Sequence, residues 1–373
     1  MITYGSNAWA QIDLITLEQN YKIIEKYAGN SQIIAVVKAD AYGHGVEECS
    51  RVFYNCGCRF FAVATPDEAL RLRALYDDCE ILILGVCPYD SANILSENDI
   101  IVALGSYSHA KGLSDHLYSG RRLRAHLKLD TGMNRIGFSS REEDFAEILS
   151  AFDTDNLEIE GMFSHFACAD MPDSDMTENQ FRRFCEVDRR LKENGINLKA
   201  RHISNSAATV FNPETHFEYV RCGIILYGLS PSGQTRVDEL KPVMTLKTRV
   251  THIHIARTGE KIGYGATYTC EKDMKIATLP IGYADGFIRA YGNGGYVLIG
   301  GNKAPIVGRI CMDQCMVDVT GLDVEPGDKV EIFGAEHTVD DFAECANTIN
   351  YECTCLLSKR VDRKYIRKKR EQK

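Results

Sequence analysis

The sequence predicts a (β/α)8 barrel of the TIM type, followed by a C-terminal all-β domain. Three observations predict it. Apolar runs alternate with helical patterns eight times through the first ~230 residues. From about residue 234 this rhythm gives way to period-two and continuous β segments separated by turns. The first predicted strand ends in a lysine, and a barrel carries its chemistry at the C-terminal ends of its strands. The boundaries that follow are 11–233 for the barrel, and 234–373 together with 1–10 for the β-strand domain.

The eight strands are expected at 33–37, 60–64, 81–84, 100–103, 123–129, 158–163, 200–203 and 219–221. Helices with start signals lie between them. Thr16-x-x-Gln19 opens a helix whose face carries Leu17, Tyr21, Ile24 and Tyr27. Val46 to Phe53 reads as a helix. Thr65-Pro66-Asp67-Glu68 supplies an N-cap, a proline at the first helical position and a reciprocal acid. Ser140-x-x-Glu143 precedes Phe145, Ile148, Leu149 and Phe152; Thr177-x-x-Gln180 precedes Phe181, Phe184, Val187 and Leu191. A doubly wound open sheet is the alternative architecture, but no G-x-G-x-x-G follows the first strand.

Gln234 to Pro242 reads as a linker. The β segments expected beyond it are 243–255, 275–281, 295–299, 304–310, 315–319 and 329–333. Gly300-Gly301-Asn302 and Glu325-Pro326-Gly327-Asp328 form turns, and one late helix lies near 340–347.

Composition bounds the function. The chain has 373 residues, 45% hydrophobic and 25% charged, as an ordinary globular protein of two domains would. No apolar run approaches the ~18 residues of a membrane helix. The segment Met1 to Asn7 lacks the basic and apolar parts of a signal peptide, so a cytoplasmic location is expected. A net charge of −9 argues against nucleic acid as a partner. The basic tail Lys364 to Lys373 reads as a solvated end. Fourteen cysteines without a CxxC pair or a zinc-type Cys/His framework read as reduced thiols, mostly small core residues, with no metal expected.

The central stretch is Ile33-Ile34-Ala35-Val36-Val37-Lys38-Ala39-Asp40-Ala41-Tyr42-Gly43-His44-Gly45. A lysine at the exit of a buried strand either snorkels to water or stands in a semi-dry pocket. In the second case its pKa falls from about 10.4 and the free amine is a nucleophile. The string VVKADAYGHG resembles the cofactor-lysine segment of the alanine racemases. The resemblance implies pyridoxal 5'-phosphate (PLP) as a Schiff base on Lys38, with Tyr42 hydrogen-bonded to its phosphate.

Five further segments match the same pattern, in order, across nearly the whole chain. Lys128-Leu129-Asp130-Thr131-Gly132-Met133-Asn134-Arg135 follows the fifth strand. Arg135 alone reads as a surface arginine; the resemblance puts it at the phenolic oxygen of the cofactor and near the substrate carboxylate. Lys128 would then be a second cation close by, and the family carbamylates that lysine. His165 in Phe163-Ser164-His165-Phe166 reads alone as a core histidine; by resemblance it lies over the pyridine ring. Asn205 and Ser206 are ordinary turn and cap residues, and the match assigns Ser206 to the phosphate. In Val220-Arg221-Cys222-Gly223-Ile224, Gly223 and Ile224 would offer N–H groups to that phosphate, and Arg221 resembles the partner of the pyridine nitrogen. An arginine keeps its proton, so the ring would draw less charge from the substrate carbon, which suits reprotonation there.

Racemisation removes a proton on one face of a carbon and returns it on the other. Tyr264, in Ile262-Gly263-Tyr264-Gly265, reads alone as a core strand tyrosine and matches the family's second base opposite Lys38. Its phenol, with a pKa of about 10, needs neighbours that lower it; His165 linked to Arg221 could do so. Met312 in Arg309-Ile310-Cys311-Met312-Asp313 would meet the substrate carboxylate. Tyr351 in Thr348-Ile349-Asn350-Tyr351-Glu352 would meet the phosphate. Tyr283-Ala284-Asp285-Gly286 and Arg289 resemble the entry passage. In the family, Tyr264 and Met312 reach a neighbouring subunit, which implies a homodimer with shared sites.

The resemblance thus implies interconversion of L- and D-alanine, feeding cell-wall peptidoglycan. A serine racemase of the glycopeptide-resistance type replaces the tyrosine kept here as Tyr351. An amino-acid decarboxylase on the same barrel would carry a Gly-Gly-Gly phosphate loop and a Cys-Glu-Ser segment, neither of which is present. A non-catalytic PLP-binding protein would stop near the end of the barrel.

Overall fold

The computed structural model describes residues 7–367. Eight parallel strands form its larger unit: Gln32–Val36, Phe60–Val63, Glu80–Ile83, Ile101–Leu104, Leu123–Asp130, Leu157–Phe163, Ala200–His202 and Tyr219–Cys222. No end departs by more than one residue from the sequence expectation. The eighth strand pairs with the first, and the others follow in chain order. The remaining seam lies between the seventh and eighth strands, where the Arg221 N–H donates to the Ser204 carbonyl at 2.9 Å. A nearly closed parallel barrel results, and the open doubly wound sheet is excluded. The apolar runs are legible because both strand faces are covered: Ile34, Phe61, Leu82 and Val102 are fully buried. Burying each such side chain is worth about 1.5–3 kcal/mol.

Helix starts depart from expectation. The first helix, Leu14–Ala28, is capped by Asp13, whose Oδ1 accepts the N–H groups of Ile15 (2.9 Å) and Thr16 (3.1 Å). Thr16 lies inside it, because the buried Leu14 and Leu17 both need the helical face. The helix Met176–Glu193 begins after Asp175, so Thr177 is internal. Gln180, expected as its capping partner, is buried instead and anchors the loop that precedes the helix: its Oε1 accepts the Ala167 N–H and its Nε2 donates to the His165 carbonyl, each at 2.9 Å. The Ser140 signal opens no helix; a 3-10 turn over Glu142–Asp144 leads into Phe145–Phe152. Thr65 does cap Pro66–Arg73, accepting the Glu68 N–H at 3.4 Å. Val46–Asn55 is helical as expected.

The second unit is antiparallel in the main. Its six-stranded sheet runs Asn302–Pro305, Tyr296–Ile299, Lys329–Phe333, Met244–Arg249, Trp9–Asp13 and Asp362–Ile366. Smaller sheets join His252–Ala256, Met274–Leu279 and Cys315–Asp318, and Lys261–Ile262 with Tyr268–Thr269. The expected segment 243–255 is broken into two strands after Arg249. The segment 304–310 leaves its sheet at Pro305 and turns at Gly308, where φ is +72° and a Cβ would lie 2.8 Å from the Ile262 carbonyl. The late helix is Val339–Cys345, and a second, unforeseen helix, Asn350–Cys355, carries Tyr351. The tail expected to be solvated, Lys364 to Lys373, begins inside the strand Asp362–Ile366, which pairs parallel to Trp9–Asp13. Residues 368–373 and 1–6 lie outside the described residues.

One apolar core continues from the barrel into the second unit. All fourteen cysteines are free and most are buried. No described helix is long and apolar enough to cross a membrane.

Candidate active site

Lys38 stands two residues past the first barrel strand, and the backbone then turns the rare way. Ala39, Asp40, Ala41 and Tyr42 all have φ between +52° and +56°, and Gly43 follows at +81°. Each left-handed non-glycine residue costs roughly 1–2 kcal/mol. The Ala41 N–H donates to Val37 O, Gly43 N–H to Ala39 O and Gly45 N–H to Asp40 O, all within 2.9 Å. His44 is fully buried, and its Nδ1–H lies 3.0 Å from the carbonyls of both Ala41 and Tyr42. Arg363, from the C-terminal strand, donates from Nε to the Gly43 carbonyl at 3.0 Å. The turn sends Tyr42 back over the strand end, so Lys38 and Tyr42 face the same space.

That space is a cavity of about 540 Å³ at the C-terminal mouth of the barrel. The barrel contributes Lys38, Tyr42, His165, Ser206, Arg221, Gly223 and Ile224 to its wall, and the second unit contributes Tyr351. Eight predicted residues from five separate segments therefore meet. Ser206 opens the helix Ser206–Phe211, whose N-cap Asn205 accepts the Ala208 N–H at 3.1 Å. The Ser206 hydroxyl accepts the Gly223 N–H at 3.0 Å. A Cβ on Gly223 would lie 2.4 Å from the Tyr42 hydroxyl, so only glycine lets the eighth strand approach that phenol. Tyr42 packs against Tyr227 and Tyr351, with ring centroids 5.3 and 6.1 Å away.

The cavity is rich in cations. Burial lowers the pKa of Lys38, with Arg135 and Arg221 pushing the same way and Cys355 and Glu68 opposing. Arg221 is buried among neutral acceptors. Its guanidinium donates to His202 Nδ1 (2.9 Å), His165 Nδ1 (3.2 Å) and the carbonyls of His202, Ser164 and Ile203. Burial lowers its pKa to about 9, which leaves it charged at neutral pH. Arginine can only donate, so His202 and His165 accept at Nδ1 and carry their protons on Nε2. His202 then donates from Nε2 to His126 Nδ1 at 2.9 Å. Burial lowers the pKa of all three imidazoles, and Arg221 adds to the effect.

Lys128 is buried under this group rather than in the cavity wall. Its Nζ donates to the Leu129 carbonyl at 2.6 Å and the Ile136 carbonyl at 3.3 Å. Burial, assisted by Arg221 and Arg135, pushes its pKa down to about 7. Arg135 is exposed and does not line the cavity, yet its charge depresses Lys38, Lys128, His165 and Arg221.

Tyr264 and Met312 are not brought into this cavity. They are 72% and 53% exposed. Tyr264 follows Gly263, at φ +72°, and lines a separate open cleft of about 770 Å³ with His254, Lys261, Cys311 and Met316. Tyr283 and Arg289 are exposed as well. Within one chain, then, the phenol stands apart from the lysine.

Four neighbours escaped the sequence reading. His126 and His202 extend the arginine's hydrogen-bond chain, and Cys355 and Asp170 line the cavity. His126 could have been found: it sits two residues before Lys128 on one strand, on the same face.

The chain matches the sequence models of the alanine racemase N-terminal domain over residues 12–231 and the alanine racemase C-terminal domain over 243–365. It is 44% identical to alanine racemase 1 of Clostridium acetobutylicum, over 96% of this chain and 95% of that protein. The solved alanine racemase of Clostridium difficile 630 superposes with a TM-score of 0.92 at 38% identity, covering 98% of this chain and 97% of that one. The alanine racemase of Bacillus anthracis with bound L-Ala-P gives 0.92 at 34% identity, covering 98% and 96%. Barrel, second unit and relatives together define an amino-acid racemase, an isomerase. Within that class the chain belongs to the alanine racemase family.

Proposed function

We propose that this protein interconverts L- and D-alanine with PLP held on Lys38, and that its D-alanine feeds peptidoglycan synthesis in the cytoplasm. The carrying observation is the convergence of Lys38, Tyr42, Ser206, Arg221 and Tyr351 on one cavity. The donor set fits the cofactor. A partly dehydrated lysine amine suits its aldehyde, hydroxyl donors beside the Gly223 turn suit its phosphate, and an Arg221 charged at neutral pH suits its ring nitrogen. When bound, PLP would supply electron withdrawal from the substrate α-carbon.

The chain's own residues do the rest. Lys38 exchanges the α-proton on the D side, helped by a pKa already below that of a free lysine. Tyr264 exchanges it on the L side. Its exposure, together with that of Met312, supports a head-to-tail homodimer in which each copy lends both residues to the other's cavity. The Met312 backbone and Arg135 hold the substrate carboxylate. His165 passes the influence of Arg221 to the incoming phenol. Tyr351 narrows the phosphate end and supports alanine over serine. Lys128, with a pKa near 7, has enough free amine at neutral pH to take up CO2, and the resulting carboxylate would pair with Arg135.

The test is incubation of PLP-loaded protein with L-alanine in D2O. The expected result is D-alanine carrying α-deuterium, lost in Lys38→Ala. Bound cofactor without exchange would refute the reading, and faster turnover of serine than alanine would overturn the substrate.

A further inference from the structure

Glu68 was expected to reciprocate the Thr65 cap, but its carboxylate does something else. Its Oε1 accepts the Ala39 N–H at 2.7 Å, and its Oε2 accepts the Ala64 N–H at 2.8 Å. Ala39 is the residue after Lys38 and the first of the left-handed run. Ala64 follows the second barrel strand, Phe60–Val63. One carboxylate thus ties the exits of two adjacent strands, and one of them carries the lysine.

We propose that Glu68 is a positioning residue for Lys38: it pins the left-handed turn where it begins and thereby fixes the direction of the amine. The proposal rests on the reading of Lys38 as the cofactor lysine. Two features support it beyond the distances. The turn is strained residue by residue, so it persists only where its surroundings over-determine it. An ionised carboxylate taking two N–H groups also makes a stronger clamp than neutral acceptors. Its negative charge faces Lys38 in addition, against Arg135 and Arg221 and alongside Cys355. The neighbouring Arg71 is engaged elsewhere, with Asp40 at 3.3 Å and Glu47 at 3.1 Å.

The geometry separates three variants. In Glu68→Gln the amide oxygen can accept only one of the two N–H groups, and its NH2 confronts the other. Glu68→Asp keeps the charge but is one methylene too short to span both. Asp67→Asn removes a neighbouring charge from the same first turn without touching the clamp. Each apo-protein is titrated with PLP by the absorbance of bound cofactor, and the rate of PLP capture is followed against pH. Capture needs the free amine, so it rises through the pKa of Lys38.

Glu68→Gln is expected to bind PLP about tenfold more weakly, equivalent to about 1.4 kcal/mol, with its capture midpoint moved to lower pH. Glu68→Asp should lose affinity but keep the midpoint, and Asp67→Asn should change neither. Parent affinity and midpoint in Glu68→Gln, confirmed as folded by circular dichroism, would overturn the proposal, as would an equal effect of Asp67→Asn. If the parent captures no PLP, or Lys38→Ala captures it equally well, the cofactor reading itself falls.

Discussion

Gly223→Ala is the sharpest steric test of the cavity. Gly223 has φ −115°, so the substitution carries no left-handed strain. The added methyl group would lie 2.4 Å from the Tyr42 hydroxyl and 3.1 Å from Cζ. Tyr42 is 7% exposed and wedged between Tyr227 and Tyr351, so its ring cannot simply swing away. Overpacking of this kind costs about 1–3 kcal/mol. Denaturant unfolding of the apo-protein measures it without involving the cofactor. Tyr42→Phe removes the nearest atom of the clash. In a double-mutant cycle it should therefore cost less stability in the Gly223→Ala background than in the parent, with a coupling of about 0.5–3 kcal/mol. Full stability of Gly223→Ala, or additive effects of the two changes, would refute the claim that the eighth strand and the lysine turn are in enforced contact.

Other outcomes follow from the same geometry. Tyr264→Phe should leave PLP affinity nearly unchanged, because the residue stands outside the Lys38 cavity. It should lower racemisation by roughly 10²–10⁴-fold, read by polarimetry. Lys128 is lowered to about 7 in the folded chain from about 10.4 unfolded, so the unfolded state binds more protons between those values. Its contribution to stability therefore rises as pH climbs from about 7 towards 10, and Lys128→Met should flatten that part of the pH–stability curve. Asp13→Ala should cost about 0.5–2 kcal/mol by loss of the cap, and Thr16→Ala far less, both by urea unfolding.

What was legible in the sequence was what burial alone dictates. The barrel strands are apolar on both faces, and Ile34 or Leu82 needs no partner residue to declare itself. The clustering of Lys38, Tyr42, Ser206, Arg221 and Tyr351 was legible through the family pattern, since four separate segments gain a common address only when the fold gathers them at the barrel mouth. What stayed hidden was any role fixed by a distant partner. Thr177-x-x-Gln180 has the spacing of a capping box, but Gln180 is claimed by the carbonyl of His165 and the N–H of Ala167. Thr65-x-x-Glu68 has it too, and there the threonine caps while the glutamate is drawn off to Ala39. Local sequence cannot choose between these outcomes, because the competing partners lie between 13 and 29 residues away along the chain.

The charge of the cavity completes the physical case. Lys38, Lys128 and Arg221 all titrate below their ordinary values, and after burial a neighbouring arginine is a cause in each. Their strongest hydrogen-bond partners are neutral: Arg221 meets imidazoles and carbonyls, and Lys128 meets two carbonyls. Buried cations without matched carboxylates are a liability in a protein that binds nothing. An anionic occupant turns the liability into affinity, because its charge relieves the repulsion as it enters. A phosphate beside Tyr42, Ser206 and Tyr351, as proposed above, would supply that relief, and a neutral occupant would not. This distribution of charge therefore supports the anionic occupant proposed for the cavity.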